Sequence, residues 1–147
     1  MHAVNLVEFS PEITSSGQPS ERDFAQMVEQ GYTTVVNLAL SNSSNALAGE
    51  DTLVTELGLA YVHIPIVWET PTPAQFQLFA AVMQQLRGQK VWVHCALNMR
   101  VSAFLYLYNR LYLGADSTEA GELLEKIWQP NPTWAAFIDL VMRQHAL

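Results

Sequence analysis

Basic residues are scarce in this chain. Lys90, Lys126, Arg22, Arg87, Arg100, Arg110 and Arg143 stand against 14 acids, giving a formal net charge of −7 over 147 residues. Such a surface has no electrostatic footprint for a polyanion, so nucleic acid is excluded as the expected partner. The one cysteine, Cys95, cannot form an internal disulfide, and with four scattered histidines it makes a poor metal cage. No metal or cofactor is implied. Also missing are an apolar run long enough to cross a bilayer and an N-terminal pattern of basic residues, apolar stretch and small-residue cleavage site. The expectation is a soluble, cytoplasmic protein with no membrane partner.

Half of the residues are apolar, enough for one ordinary domain over 1–147 with a real core. Strand-like pieces, short and rich in β-branched and aromatic residues, are Thr33–Leu38, Ala60–Ile66 and Lys90–His94, with a further one near Val4–Phe9. Helix signals alternate with them. Ser20 with Asp23 starts one helix, which Gly31 ends, and Thr72-Pro73 starts another that runs to Gly88. Met99–Leu113 is apolar nearly all round, which predicts a buried central helix. Asp116 opens a further helix stopped by Pro130, and Asn131-Pro132 opens the last.

Alternation of this kind implies right-handed βαβ crossovers and a mainly parallel sheet covered on both faces. Ligands of such sheets bind beyond the carboxyl ends of the strands. Three loops qualify: Ala39–Ala48, Val67–Pro71 and Cys95–Met99. Cys95 lies on the last, followed by a short loop and a helix. Backbone N–H groups and the positive end of the helix dipole favour a thiolate there, and the same groups can cradle a tetrahedral oxyanion. Arg100 can bind two of its oxygens through its planar fork. The bland alternative is that Cys95 packs as a small hydrophobe and Arg100 is a solvated helix-start residue.

The segment Val93-His94-Cys95-Ala96-Leu97-Asn98-Met99-Arg100 resembles the phosphate-binding loop of the cysteine-dependent tyrosine and dual-specificity phosphatases. Ser16–Ser20 with Gly31–Leu38 is similar to that family's opening, and Tyr61–Ile66 to its middle strand. The run Cys95–Phe104 is similar to a bacterial, largely uncharacterised phosphatase-like subgroup. The resemblance implies a three-layer α/β domain with a central, mainly parallel four- or five-stranded sheet flanked by helices on both faces. It also implies hydrolysis of phosphate monoesters, with phosphotyrosine or a small aryl phosphate among the substrates, through a cysteinyl-phosphate intermediate.

The implied roles fall on Cys95 as nucleophile, Arg100 as oxyanion ligand, Glu69 as general acid and Ser102 as an aid to breakdown of the intermediate. Ala96, Leu97, Asn98, Met99 and Trp68 would bind substrate, and His94 would organise the loop. The partner is then a phosphate ester or a phosphorylated protein, and phosphate or sulfate would sit in the loop. Bland readings stand beside several of these: Glu69 as a surface acid near a helix start, Ser102 as a first-turn serine, Trp68 as packing. His63, mid-strand, reads as a satisfied core residue.

The spacing departs from the family pattern, with four residues between Cys95 and Arg100 where five are usual. If nothing is deleted, Val101 takes the arginine's place and Arg100 is displaced by about 100° around the helix. If a loop residue is missing, Arg100 stays at the mouth and the cradle tightens. Asn98 stands at the family's glycine, where asparagine tolerates a left-handed backbone and can cap the helix that follows. Two other functions remain open. A rhodanese-like sulfurtransferase fits the loop length, and a catalytically weak or inactive module that binds phosphate or a phosphoprotein fits the altered spacing. A cysteine–histidine protease dyad is disfavoured, because neighbouring strand residues point to opposite faces.

Overall fold

The computed structural model describes residues 1–146. Five strands form the sheet: β1 (Val7–Glu8), β2 (Ile13–Ser16), β3 (Tyr32–Asn37), β4 (Ala60–His63) and β5 (Lys90–His94). Their spatial order is β1-β2-β5-β3-β4, with β1 antiparallel to β2 and every other pair parallel. β5 is therefore central, and the chain leaves it directly into the Cys95 loop.

Period-2 alternation sorts the strand side chains into two cores. Val35 and Trp92 pack on one face with Phe24 and Met27 of α1 (Glu21–Glu29) and Val54 of α2 (Glu50–Glu56). Val36, Val91 and Val93 pack on the other with α3 (Pro73–Gln85), α4 (Met99–Tyr112) and α6 (Pro132–His145). The remaining helix, α5 (Ser117–Glu125), lies against α4. The expected three-layer architecture is present, with five strands.

Helix starts follow the sequence signals closely. Ser20 and Asp23 form a capping box, Thr72 and Gln75 form another, and Asp116 and Asn131 accept from the third residues of their helices. Two elements depart from expectation. β2 carries Thr14, Ser15 and Ser16, whose polarity hides a strand, yet all three are buried between β1 and β5. α2 begins at Gly49, a left-handed N-cap at φ 72° with no side-chain hydrogen bond, so no capping residue announces it. The expected strand near Val4–Phe9 shrinks to two residues, because Asn5 takes a left-handed backbone at φ 53°. The Ala60–Ile66 strand ends at His63. Pro65 has no N–H, although Ile64 and Ile66 still donate to Asn37 O and Leu38 O.

Candidate active site

The sheet register places Ser16, His94, Asn37 and His63 in one row across four adjacent strands at their carboxyl ends. His94 is the last residue of β5 and points into the α1 side, its ring centroid 6.1 Å from that of Phe24. Cys95, one residue on, belongs to the opposite core cluster and is 1% exposed. The two side chains diverge, as strand geometry requires.

His94 is held at both ring nitrogens. Its Nε2 lies 2.8 Å from Glu50 Oε2, and its Nδ1 lies 3.1 Å from the carbonyl oxygen of Cys95. Both neighbours are hydrogen-bond acceptors. Glu50 also accepts from Gln18 Nε2 at 2.5 Å, Tyr61 Oη at 2.8 Å and Asn37 Nδ2 at 3.2 Å. Burial is the largest single influence on the Glu50 carboxyl and acts to raise its pKa. The hydrogen bond and charge of His94, with the bonds from Gln18 and Tyr61, outweigh burial and hold the carboxyl below its ordinary value. Tyr61 is pushed well above the usual phenol range by burial first and by the Glu50 charge and hydrogen bond, against the opposing bond from Asn37. Glu50 and Tyr61 thus anchor the histidine that holds the Cys95 peptide. Neither was legible as a site residue, since Glu50 opens a helix with no capping signal and meets β4 and β5 only through the fold.

Beyond Cys95 the loop is tied from behind. Ala96 O accepts from Gln18 N and from Asn45 Nδ2, each at 3.0 Å. Leu97 O accepts from Asn5 Nδ2 at 2.9 Å. Asn98 has the left-handed backbone its type allows, at φ 68°, and is the N-cap of α4. Its side chain, however, makes no capping bond, which corrects the expectation that it would. The first backbone bond of α4 runs from Ser102 N to Asn98 O, so the preceding N–H groups of Met99, Arg100 and Val101 lie at an uncapped helix start.

Arg100 lines an open depression and Val101 is fully buried. Arg100 donates through Nε to Ile66 O at 2.9 Å, and its guanidinium lies 5.3 Å from the Trp68 ring centroid. With Trp68, Ala96, Leu97 and Met99 it lines a depression of about 190 Å³. A larger hollow, about 400 Å³, lies on the other side of the Glu50 network beside Ser41, Asp51 and His63. Its lining carries neither cysteine nor arginine.

The remaining sequence candidates separate. Trp68 is brought to Arg100, with Trp128 and Trp134 at 5.4 and 5.5 Å, and its carbonyl accepts from Trp134 Nε1 at 2.9 Å. Glu69, next to it, is exposed and does not line the depression. The Ser102 hydroxyl donates to Met99 O at 3.0 Å and accepts from Trp128 Nε1 at 3.1 Å, so it faces the α4 backbone and an indole. His63 is satisfied by Ala39 O at 2.6 Å but is exposed, which corrects its placement in the core.

A cysteine-bearing turn between the central strand and a buried helix, with an arginine beside it, is the arrangement of a dual-specificity or tyrosine phosphatase. The chain belongs to the family described as "DSP-PTPase phosphatase fused to NAD+ Kinase", whose model matches residues 8–125. It is similar to a DUF442 protein of Shewanella putrefaciens CN-32, with 32% identity, a TM-score of 0.86, and 97% of this chain and 94% of that one covered. The fold is shared with TpbA of P. aeruginosa, solved in complex with phosphotyrosine, at 18% identity and a TM-score of 0.75 over 97% of this chain and 91% of that one. Two proteins of Xylella fastidiosa named "Beta-lactamase hydrolase-like protein" are 26% identical over 124 residues. The match takes in 82% of this chain and 28% of theirs, so the chain spans well under a third of those relatives. Among the described residues, no helix is long and apolar enough to cross a membrane.

Proposed function

We propose that the chain hydrolyses phosphate monoesters on Cys95. The observation that carries this reading is the position of Arg100, at the mouth with the loop residues Ala96, Leu97 and Met99 while Val101 is buried. The Cys95 thiolate attacks phosphorus, the ester P–O bond breaks, and Glu69 gives its proton to the leaving oxygen. Water then attacks the cysteinyl phosphate, the S–P bond breaks, and inorganic phosphate leaves with the thiolate restored. Arg100 and the first N–H groups of α4 hold the equatorial oxygens through both steps. His94 acts from behind, through the Cys95 carbonyl.

The mouth also narrows the substrate. Leu97 and Val67 are 44% and 42% exposed beside Trp68 and Met99, and Arg100 is the only cation on the depression. A phosphotyrosine or small aryl phosphate fits this apolar rim, whereas a polyphosphorylated headgroup finds no further cation. A phosphorylated protein is accepted on the same terms.

A second reading is favoured by the Ser102 hydroxyl, which is taken up by Met99 O and the Trp128 indole, and by Glu69, which lies outside the depression: a pocket that binds phosphate without turning it over. The deciding assay uses an aryl phosphate from about pH 5 to about pH 8 with the parent and Cys95→Ser proteins. Thiosulfate with cyanide is run in parallel. Cysteine-dependent release of the phenol supports hydrolysis. Thiosulfate activity alone moves the chain to sulfur transfer, and phosphate binding without either activity supports the binding pocket.

A further inference from the structure

Asn5 and Asn98 are the only non-glycine residues with a positive φ among the described residues, and they bond to each other's segments. The Asn5 side chain donates to Leu97 O at 2.9 Å across 92 residues of sequence. In return, Asn98 Nδ2 donates to Asn5 O at 2.8 Å and to Ser15 Oγ at 3.1 Å. The carbonyl of Asn5 is an acceptor only, which fixes the orientation of the Asn98 amide. A second bond, from Gly17 N to Val4 O at 2.7 Å, lays the same N-terminal strap beside the loop.

This arrangement has an unusual cost. An N-cap asparagine ordinarily turns its side-chain oxygen onto an N–H of the first helical turn. Here that oxygen, Asn98 Oδ1, is buried with no partner, in a residue that is fully buried. Native structures rarely leave such a group unsatisfied, and each instance calls for a physical reason. The N–H groups that Oδ1 would cap are the ones needed for the phosphate oxygens. Were residue 98 to leave its left-handed backbone for the extended one that the capping residues Ser20, Thr72, Asp116 and Asn131 adopt, the protein's own side chain would occupy the cradle.

We infer that Asn5 is a positioning residue that keeps the Asn98 side chain off the start of α4 and so keeps the oxyanion cradle open. The inference rests on the phosphatase reading of the loop. Asn5 touches neither substrate nor nucleophile, and it acts by anchoring the strap whose carbonyl holds the Asn98 amide. At position 98 a glycine would keep the left-handed backbone and have nothing to cap with.

The test is a cycle of Asn5→Gly, Asn98→Gly and the double variant. Glycine at position 5 retains the positive φ and removes only the amide. Inorganic phosphate affinity is measured by calorimetry, aryl phosphate turnover is split into kcat and KM, and thermal unfolding reports the fold of each protein. Asn5→Gly is expected to weaken phosphate binding and raise KM by roughly tenfold, the worth of one good hydrogen bond to a charged group. In the Asn98→Gly background the same change is expected to do nothing. Equal losses in both backgrounds, or no loss in the first, overturn the inference while leaving the phosphatase reading intact. A parent protein that binds no phosphate and turns over no ester overturns both.

Discussion

His94 Nε2 and Glu50 Oε2 meet at 2.8 Å at the carboxyl edge of the sheet, the imidazole wholly buried and the carboxylate 7% exposed. The pair links α2 to the peptide that carries Cys95, because the other ring nitrogen lies on the Cys95 carbonyl. Its value lies in orientation more than in raw stability, since desolvating two such groups consumes much of what they gain by meeting.

Removing one member of that pair exposes the cost. Glu50→Ala leaves the imidazole and the Tyr61 hydroxyl without their acceptor and is expected to destabilise the fold by about 3 to 5 kcal/mol. Glu50→Gln keeps an acceptor oxygen and is expected to lose less. Denaturant unfolding of the two variants against the parent reads the difference. Equal stabilities for parent and Glu50→Ala would show that the pair holds nothing in place.

Acid sensitivity follows from two carboxylates. Glu50 and Asp23 are both held below their ordinary values of 4.5 and 3.8. For each, burial is the largest influence and opposes the shift. For Asp23 it is outweighed by the N–H groups of Ser20 and His2 and the hydroxyl of Ser20. A depressed folded-state pKa means that the unfolded chain binds protons first as the solution is acidified. The stabilisation is therefore complete above the ordinary values and is lost as pH falls through the lower folded-state ones. The contribution of these two carboxylates to the free energy of unfolding should fall as pH drops below 4.5. Glu50→Gln should flatten part of that acid slope, and an unchanged slope would assign it elsewhere.

What the chain revealed before folding was its local chemistry. Ser20, Thr72, Asp116 and Asn131 carry their caps in the sequence, and the Lys90–His94 strand with Cys95 behind it needs only β-propensity and the single cysteine to be recognised. The four-residue spacing left two placements of Arg100 open in the sequence; in the fold Val101 is buried and Arg100 lines the depression. Glu50, Asn5 and Ser15 stayed hidden because their roles come from contacts made across the fold. Glu50 meets His94 across 44 residues and Ser15 meets Asn98 across 83. The Ser102 hydroxyl bonds back to its own helix, as a first-turn serine can.

Glu69 is best tested through the leaving group. A general acid matters in proportion to how poorly the departing oxygen leaves unprotonated, so Glu69→Gln should slow a phenyl or alkyl phosphate by about 10²-fold or more. A nitrophenyl phosphate, whose phenolate leaves readily, should lose far less. Turnover of both esters by parent and variant gives the ratio directly. Equal losses would remove Glu69 from the proton transfer, and its exposed position outside the depression would then be explained as surface.

Gly17 packs closely behind the loop that follows Cys95. A Cβ built there would stand 2.5 Å from Ala96 O, against Val4 Cγ1, and 3.1 Å from Leu97 Cα. The Val4 side chain can rotate away, but the Ala96 carbonyl is held by Gln18 N and Asn45 Nδ2 and cannot retreat without moving the loop. Gly17 has no positive φ among the described glycines, so Gly17→Ala tests space alone, free of backbone strain. Overpacking of this kind costs about 1 to 3 kcal/mol. Because the strain falls on the peptide between Cys95 and Leu97, phosphate affinity should drop along with the unfolding temperature. A variant that loses stability but binds phosphate as the parent does would show that the loop yields as a rigid body, with the cradle carried along unchanged.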